Sequence, residues 1–140
     1  MSKSPKEHAI DILARRDHSI HEMRMKLKRK IFDPEAIEDT IVWLQEKRLL
    51  NDADFAQKKA ESIMRTKMAG PMYIKNKLRE AGVAGEIIDD VVQNIADAEE
   101  WGIRAQKAIE QWKRAHVKHA EDKTRQMRFL VSRGFDRIDL

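Results

Sequence analysis

The sequence predicts an all-α protein built from tandem three-helix repeats, and three observations support this fold class. Apolar residues recur at helical spacing along almost the whole chain. Only 6% of the residues are aromatic and 37% are charged, against about 25% charged in a typical protein, which favours helices over sheets. The apolar positions of the first three predicted helices also recur in the next three. We therefore expect an elongated, curved helical stack.

Capping signals separate the first three predicted helices. The first runs from about Pro5 to Arg16, and the second begins at Ser19, where Glu22 three residues later completes a capping box. Asp33-Pro34 begins the third, because an Asp side chain accepts hydrogen bonds from unpaired backbone N–H groups and Pro fits the first helical position. The predicted core of this first repeat consists of Ala9, Ile12, Leu13, Met23, Leu27, Ile37, Ile41 and Leu44.

The next three predicted helices have similar boundaries. The fourth begins near Asp52, Gly70-Pro71 begins the fifth, and Gly82 ends it. Apolar residues at helical spacing mark the sixth helix. The predicted core of this second repeat consists of Phe55, Ala56, Ala60, Ile63, Met64, Ile74, Leu78, Ile88, Val91, Val92 and Ile95.

Two more helices are predicted in the last part of the chain, at about residues 99–116 and 120–133. Gly134 ends the second of them, because glycine readily adopts the conformation that follows a helix. Residues 136–140 then provide about one turn of a ninth helix. We therefore expect the third repeat to be truncated.

The register of the apolar positions is the strongest sign of internal repetition. Helices one to three match helices four to six at a constant shift of 51 residues, without a gap. At a shift of 52, Gly82 matches Gly134 and Val83 matches Phe135, which indicates a fainter third copy. We predict a single domain of three repeats, at about residues 5–48, 52–97 and 99–140.

Composition excludes several classes of chemistry. The chain has no cysteine, so it offers no disulfide, thiolate nucleophile or cysteine-based zinc site. Its five glycines are scattered and form no phosphate-binding loop, and its five histidines have no metalloprotease spacing. The carboxylates lie on polar faces, without the apolar enclosure that would tune an acid or a base. We expect no enzyme activity, no cofactor and no metal.

The first residues and the apolar runs of the chain indicate where the protein is located in the cell. No apolar stretch follows the first residues that could serve as a signal peptide. The longest comparable apolar run, Ile41 to Leu44, is far too short to cross a bilayer. We expect a cytoplasmic, monomeric protein that does not bind a membrane.

Basic residues recur in register on the second helix of each of the first two repeats, which we call the middle helices. Arg24 matches Lys75, Lys26 matches Lys77, and Lys28 matches Arg79. The third middle helix adds bases that are out of this register. The candidate partner- or DNA-binding residues are Arg24, Lys26, Lys28, Lys75, Lys77, Arg79, Arg125, Arg128 and Arg133.

Two interpretations of these bases stay open. The third helices are acidic: residues 33–46 contain five acids and no base, so the bases could pair with them in solvated grooves at about 0 to 1 kcal/mol per pair. Alternatively, the middle helices line one surface and present a discontinuous basic track to phosphates or to an acidic protein groove. Reversing Lys26 and Lys77 to Glu would distinguish these interpretations, because only the second predicts weaker partner binding.

Several segments of the chain are distinctive in their order and spacing, although each alone is an unspecific cap or core stripe. They are residues 9–19 and 22–27, residues 50–56, Gly70-Pro71 with Ile74, Leu78 and Gly82-Val83, and residues 128–135. Together they resemble the RecX family, which regulates the bacterial recombinase RecA, and the resemblance covers nearly the whole chain.

This resemblance implies a function as well as a fold. It implies that the protein lies along the groove of the RecA filament on single-stranded DNA and inhibits ATP hydrolysis, strand exchange and coprotease activity. Recombination, DNA repair and the SOS response would thereby be modulated, with single- and double-stranded DNA as further expected partners. The alternatives are a helical protein that binds DNA on its own, and a passive scaffold for another helical partner.

Overall fold

The computed structural model describes residues 3–136, and their secondary structure confirms the predicted all-α class. Residues 137–140, where the ninth helix was predicted, lie outside the described part. A 3₁₀ turn at Val117–His119 precedes the last helix, and no strand occurs within residues 3–136. The α-helices are α1 (Pro5–Arg15), α2 (Ile20–Arg29), α3 (Pro34–Glu46), α4 (Asp52–Thr66), α5 (Pro71–Glu80), α6 (Gly85–Ile95), α7 (Ala98–Ala115) and α8 (Lys123–Ser132).

The helices begin where side chains accept hydrogen bonds from unpaired backbone N–H groups. The predicted capping box of α2 is present: the Glu22 N–H donates to Ser19 Oγ at 3.0 Å, and the Ser19 N–H donates to Glu22 Oε1 at 3.0 Å. α8 begins later than the predicted position near residue 120. Asp122 caps it by accepting from the Arg125 N–H at 3.2 Å, and the preceding residues form the 3₁₀ turn.

The buried apolar residues form two cores. Helices α1 to α3 enclose the first core, which also includes Leu50. Helices α4 to α8 enclose the second, in which Trp101 and Leu130 of the third repeat pack in one cluster with Phe55 and Ile74 of the second repeat. The second and third repeats are therefore continuous in their packing, whereas the first repeat has a core of its own.

The exposed area is consistent with an elongated stack. The chain exposes 9450 Å². A compact monomer of 16.4 kDa is expected to expose about 7500 Å². A chain of repeats that contact only their neighbours has this excess, because each repeat leaves most of its outer surface to solvent.

Each middle helix ends in a turn with a residue in the left-handed region. Gly82 has a φ of 78° after α5, and Gly134 has a φ of 88° after α8. At the same place after α2 stands Ile31, with a φ of 61°. A β-branched residue in this conformation costs about 1 to 2 kcal/mol, because its Cβ crowds the backbone. The first repeat thus keeps a strained Ile where the other two have Gly.

Candidate partner-binding surface

The middle helices α2, α5 and α8, which carry the candidate bases, meet end to end. At the first junction, Ser19 Oγ before α2 donates to the carbonyl of Ala81 after α5 at 2.5 Å. At the second, the Gly70 N–H donates to the carbonyl of Arg133 at 2.8 Å, and the Met72 N–H donates to Gly134 O at 2.9 Å. The start of α2 therefore contacts the end of α5, and the start of α5 contacts the end of α8. The bases of successive repeats thus follow one another along the molecule.

Glycine is required at these junctions for steric reasons as well as for its φ. A Cβ on Gly82 would lie 2.4 Å from Cβ of His21, and a Cβ on Gly134 would lie 2.4 Å from the backbone nitrogen of Tyr73. Both distances are far below van der Waals contact. The junctions are thus built on close backbone approach.

In α2, two of the three recurring bases have partners within the protein. Arg24 forms a bidentate ion pair with Glu38 of α3, with Nε at 2.7 Å and Nη2 at 3.1 Å from the two carboxylate oxygens. Their mutual hydrogen bonds raise the pKa of Arg24 and lower the pKa of Glu38. Lys26 Nζ lies 2.7 Å from Nε2 of His18. Lys28 is exposed and forms no ion pair with another described residue.

The partner of Lys26 is a buried, neutral histidine. His18 is 3% exposed, and its Nδ1 lies 3.0 Å from the carbonyl oxygen of Arg16. A carbonyl only accepts and an ammonium only donates, so Nδ1 carries the proton and Nε2 accepts from Lys26. Burial, helped by the charges of Arg16 and Lys26, lowers the pKa of His18 below its ordinary value of 6.5. Lys26 is therefore held by the fold.

In α5, the recurring bases are less tied to other elements. Lys77 lies 3.5 Å from Glu80 and 5.5 Å from the centroid of the Tyr73 ring, both on its own helix. Arg79 donates to the side-chain oxygen of Asn76 at 3.0 Å. Lys75 is half-buried and forms no ion pair with another described residue. Lys75 and Arg79 thus keep their charge available to a partner.

The bases of α8 lie at other positions of the helix. Arg125 lies 3.3 Å from Asp122, the guanidinium of Arg133 lies 5.4 Å from the Phe129 ring centroid, and Arg128 is exposed without an ion pair to a described residue. At the positions that match Lys75 and Arg79 stand Met127 and Val131. Val131 is 60% exposed and lines an open groove along α8 with Met127. On α8, apolar side chains thus replace two of the recurring bases, beside Lys123 and Arg128 in the same groove.

The first two recurring bases of α2 face different sides of the helix. Arg24 points toward α3, whereas Lys26 points toward the segment between α1 and α2. Residues 24 and 26 are separated by about 200° around a helix, so they lie on different sides of α2. The solvated-groove interpretation applies to Arg24. The candidate bases that have neither a carboxylate nor an aromatic ring as a partner among the described residues are Lys28, Lys75, Arg79 and Arg128.

Sequence reasoning missed Ile31, which belongs to this surface. It is 92% exposed beside Lys28, Arg29 and Lys30. A signal for it was present: at the shift of 51, Ile31 matches Gly82, a glycine already assigned to a helix end. An apolar residue at a position where the other repeats have glycine indicates that this turn differs in its role from theirs.

The described residues hold no arrangement typical of a metal centre or of a membrane span. Within residues 3–136, no three or more His, Cys, Asp or Glu side chains are grouped so that they could hold a metal ion. His18, the buried histidine, hydrogen-bonds a carbonyl and an ammonium group. No helix of this part of the chain is long and apolar enough to cross a membrane.

Comparison with known protein families finds separate matches to the first and the second three-helix unit. The family model for the first three-helix domain of RecX matches residues 6–44, and the model for the second three-helix domain matches residues 51–92. The chain belongs to the RecX family. The matched residues cover most of α1 to α3 in the first case and most of α4 to α6 in the second. The RecX resemblance of the sequence is thereby confirmed.

RecX relatives extend the match beyond these two domains. The regulatory protein RecX of Chlorobaculum tepidum is 32% identical over 93% of this chain and 79% of its own length. That of Halorhodospira halophila is 34% identical over 96% of this chain and 82% of its own length. Both are named regulatory proteins, which supports a regulatory role for this RecX-family chain.

Solved RecX structures share the fold. The crystal structure of RecX from Lactobacillus salivarius superposes with a TM-score of 0.79 at 22% identity, covering 96% of this chain and 89% of the other. A second crystal structure, of a regulatory protein RecX, gives a TM-score of 0.83 at 21% identity and covers 96% of this chain and 67% of the other. The tandem three-helix arrangement is therefore that of RecX proteins.

Proposed function

We propose that this RecX-family protein binds the RecA filament on single-stranded DNA and inhibits its ATPase, strand-exchange and coprotease activities. Recombination, DNA repair and the SOS response would be modulated as a result, in the cytoplasm and without catalysis by the protein itself. The observation that carries the proposal is the match of consecutive RecX domains, continued by RecX relatives over more than nine-tenths of the chain.

The serial arrangement supports a filament as the partner. The repeats, at about residues 5–48, 52–97 and 99–140, would contact successive RecA subunits, and several weak contacts on one chain add to high avidity. Lys75 and Arg79 on α5 and Arg128 on α8 offer charges without an ion pair at two levels of the stack. Such bases fit acidic filament surface or DNA phosphate.

The rate of ATP hydrolysis by RecA on single-stranded DNA tests this proposal. We expect hydrolysis to fall as the protein is titrated in, with an effect at well below one molecule per RecA subunit if filament ends are capped or neighbouring subunits bridged. Unchanged hydrolysis at saturating protein would contradict the proposal. Strand exchange and coprotease cleavage in the same titration separate inhibition of the filament from inhibition of ATP turnover alone.

A second candidate is a monomeric helical protein that binds DNA on its own. The pI of about 9.4 and the bases without ion pairs favour it. Such a protein would bind single-stranded or duplex DNA tightly without RecA, with an affinity that falls steeply as salt rises. Fluorescence anisotropy of labelled DNA between 50 and about 200 mM salt distinguishes the two. Weak, shallow binding to DNA alone supports the filament proposal.

A further inference from the structure

The turn after α2, residues 28–32, carries the features of a docking point. Ile31 is 92% exposed, more than the other large apolar side chains of the described residues that are exposed. It also adopts a left-handed φ of 61°, a conformation that favours glycine. A strained, solvent-exposed apolar residue weakens the isolated protein, and such strain is typical of functional sites.

Comparison within the molecule shows what this turn does in the other repeats. After α5 the start of α2 rests on it, through the bond from Ser19 to Ala81, and after α8 the start of α5 rests on it, through Gly70 and Arg133. Each of those turns has Gly at the left-handed position, where a Cβ would collide with the incoming repeat. With Ile31 at that position, the turn after α2 excludes another repeat of this kind and stays open.

The charges around Ile31 define its partner. Lys28, Arg29 and Lys30 are exposed and form no ion pair with another described residue. The carbonyl groups at the end of α2 carry only about half a negative charge, which these three cations exceed. The turn therefore presents positive charge around an apolar tip. We propose that this turn docks an acidic protein surface that contains an apolar pocket for Ile31. Phosphate alone would use the bases and gain nothing from the isoleucine.

This inference rests on the proposed function, because the probe is the RecA filament on single-stranded DNA. We compare Ile31→Gly with wild type by the concentration needed for half-inhibition of ATP hydrolysis. We expect about a tenfold increase, since burial of an Ile side chain typically contributes a factor of this order. Ile31→Leu keeps the apolar tip and should stay within about threefold of wild type.

Stability separates docking from a structural role. Ile31→Gly relieves the backbone strain, so its melting temperature should be equal to that of wild type or higher by about 2 to 4 °C. Arg48→Gly is the matched control: Arg48 is also left-handed, with a φ of 59°, but follows α3. Arg48→Gly should show the same stability trend and unchanged inhibition. A lower melting temperature of Ile31→Gly together with weaker inhibition would overturn the proposal.

Further outcomes test the proposed function and the other possible partners of this turn. Wild-type protein that fails to inhibit RecA would refute the proposed function, whereas inhibition by wild type and Ile31→Gly at equal concentrations would refute only the docking turn. Loss of binding of Ile31→Gly to naked single-stranded DNA would identify a nucleic-acid contact and overturn the protein partner. Self-association of Ile31→Gly in analytical ultracentrifugation would show that Ile31 merely blocks a second copy, and would also overturn it.

Discussion

At the residue scale, four of the candidate bases have neither a carboxylate nor an aromatic ring as a partner among the described residues: Lys28, Lys75, Arg79 and Arg128. The others predicted from the sequence contact residues of the same chain, as Arg24 contacts Glu38. Which base pairs internally depends on the rotation of each helix against its neighbours. Sequence register therefore located the charges but did not predict which of them pair within the protein.

Charge reversal on α5 tests these bases. We expect Lys75→Glu with Arg79→Glu to weaken inhibition of RecA by roughly tenfold and to flatten its salt dependence, because like charges then face the partner. Lys59→Glu with Lys107→Glu is the matched control, with the same change in charge at exposed positions of α4 and α7. An equal loss in both double variants would mean that only net charge matters.

Protonation of His18 provides a second prediction at this scale. Its pKa is lowered in the folded state, mainly by burial, so the unfolded chain takes up the proton at higher pH. The free energy of unfolding should be constant above about pH 7 and fall as pH drops below 6.5, with a slope of at most about 1.4 kcal/mol per pH unit. Urea unfolding between pH 8 and about 5.5 measures this dependence of the free energy of unfolding on pH.

Variants assign this pH dependence to one side chain. His18→Gln cannot take up the proton, and we expect its free energy of unfolding to change less over this range. His119→Gln, at an exposed position of the 3₁₀ turn, should retain the wild-type pH dependence. If His18→Gln also retained it, another group would be responsible.

At the scale of helices, local signals predicted most boundaries and missed the contacts between repeats. Ser19 with Glu22 marked the start of α2, because both partners of a capping box lie within four residues. The bond from Ser19 to Ala81 spans 62 residues and leaves no local trace. The predicted start of α8 was wrong by about three residues, because Asp122 rather than a residue near 120 caps the helix.

Removing the Ser19 hydroxyl tests the first junction. Ser19→Ala loses a cap bond and leaves the buried carbonyl of Ala81 without its donor, so we expect a loss of about 2 kcal/mol in the free energy of unfolding. Ser4→Ala removes an equivalent cap on α1, at an exposed site, and should cost about 1 kcal/mol or less. Equal losses in urea unfolding would exclude a contribution from the contact between repeats.

Substitution of the junction glycine tests the second junction. Gly134→Ala places a Cβ 2.4 Å from the Tyr73 nitrogen at a φ of 88°, so we expect a destabilisation of more than about 2 kcal/mol. Gly85→Ala is the control, because its Cβ meets no atom within 4 Å and alanine favours the helix. A stability of Gly134→Ala equal to wild type would mean that the junction opens without cost.

At the scale of the whole molecule, the repeat predicted an elongated α-helical stack, and the exposed area agrees. The repeat did not predict that the second and third repeats share one core while the first is separate. Trp101 and Leu130 pack with the second repeat because their own repeat, within the described residues, offers only α7 and α8 to cover them. This packing depends on which helices are present, and a register of apolar positions does not report it.

Recognition of the assembled RecA filament is the central proposal for this chain. Fluorescence anisotropy of the labelled protein measures it most directly, with three ligands compared at one salt concentration: RecA assembled on single-stranded DNA with a non-hydrolysable ATP analogue, RecA without DNA, and DNA alone. We expect saturable binding to the filament that is at least about tenfold tighter than binding to either component. Equal affinity for the filament and for naked DNA would contradict the account.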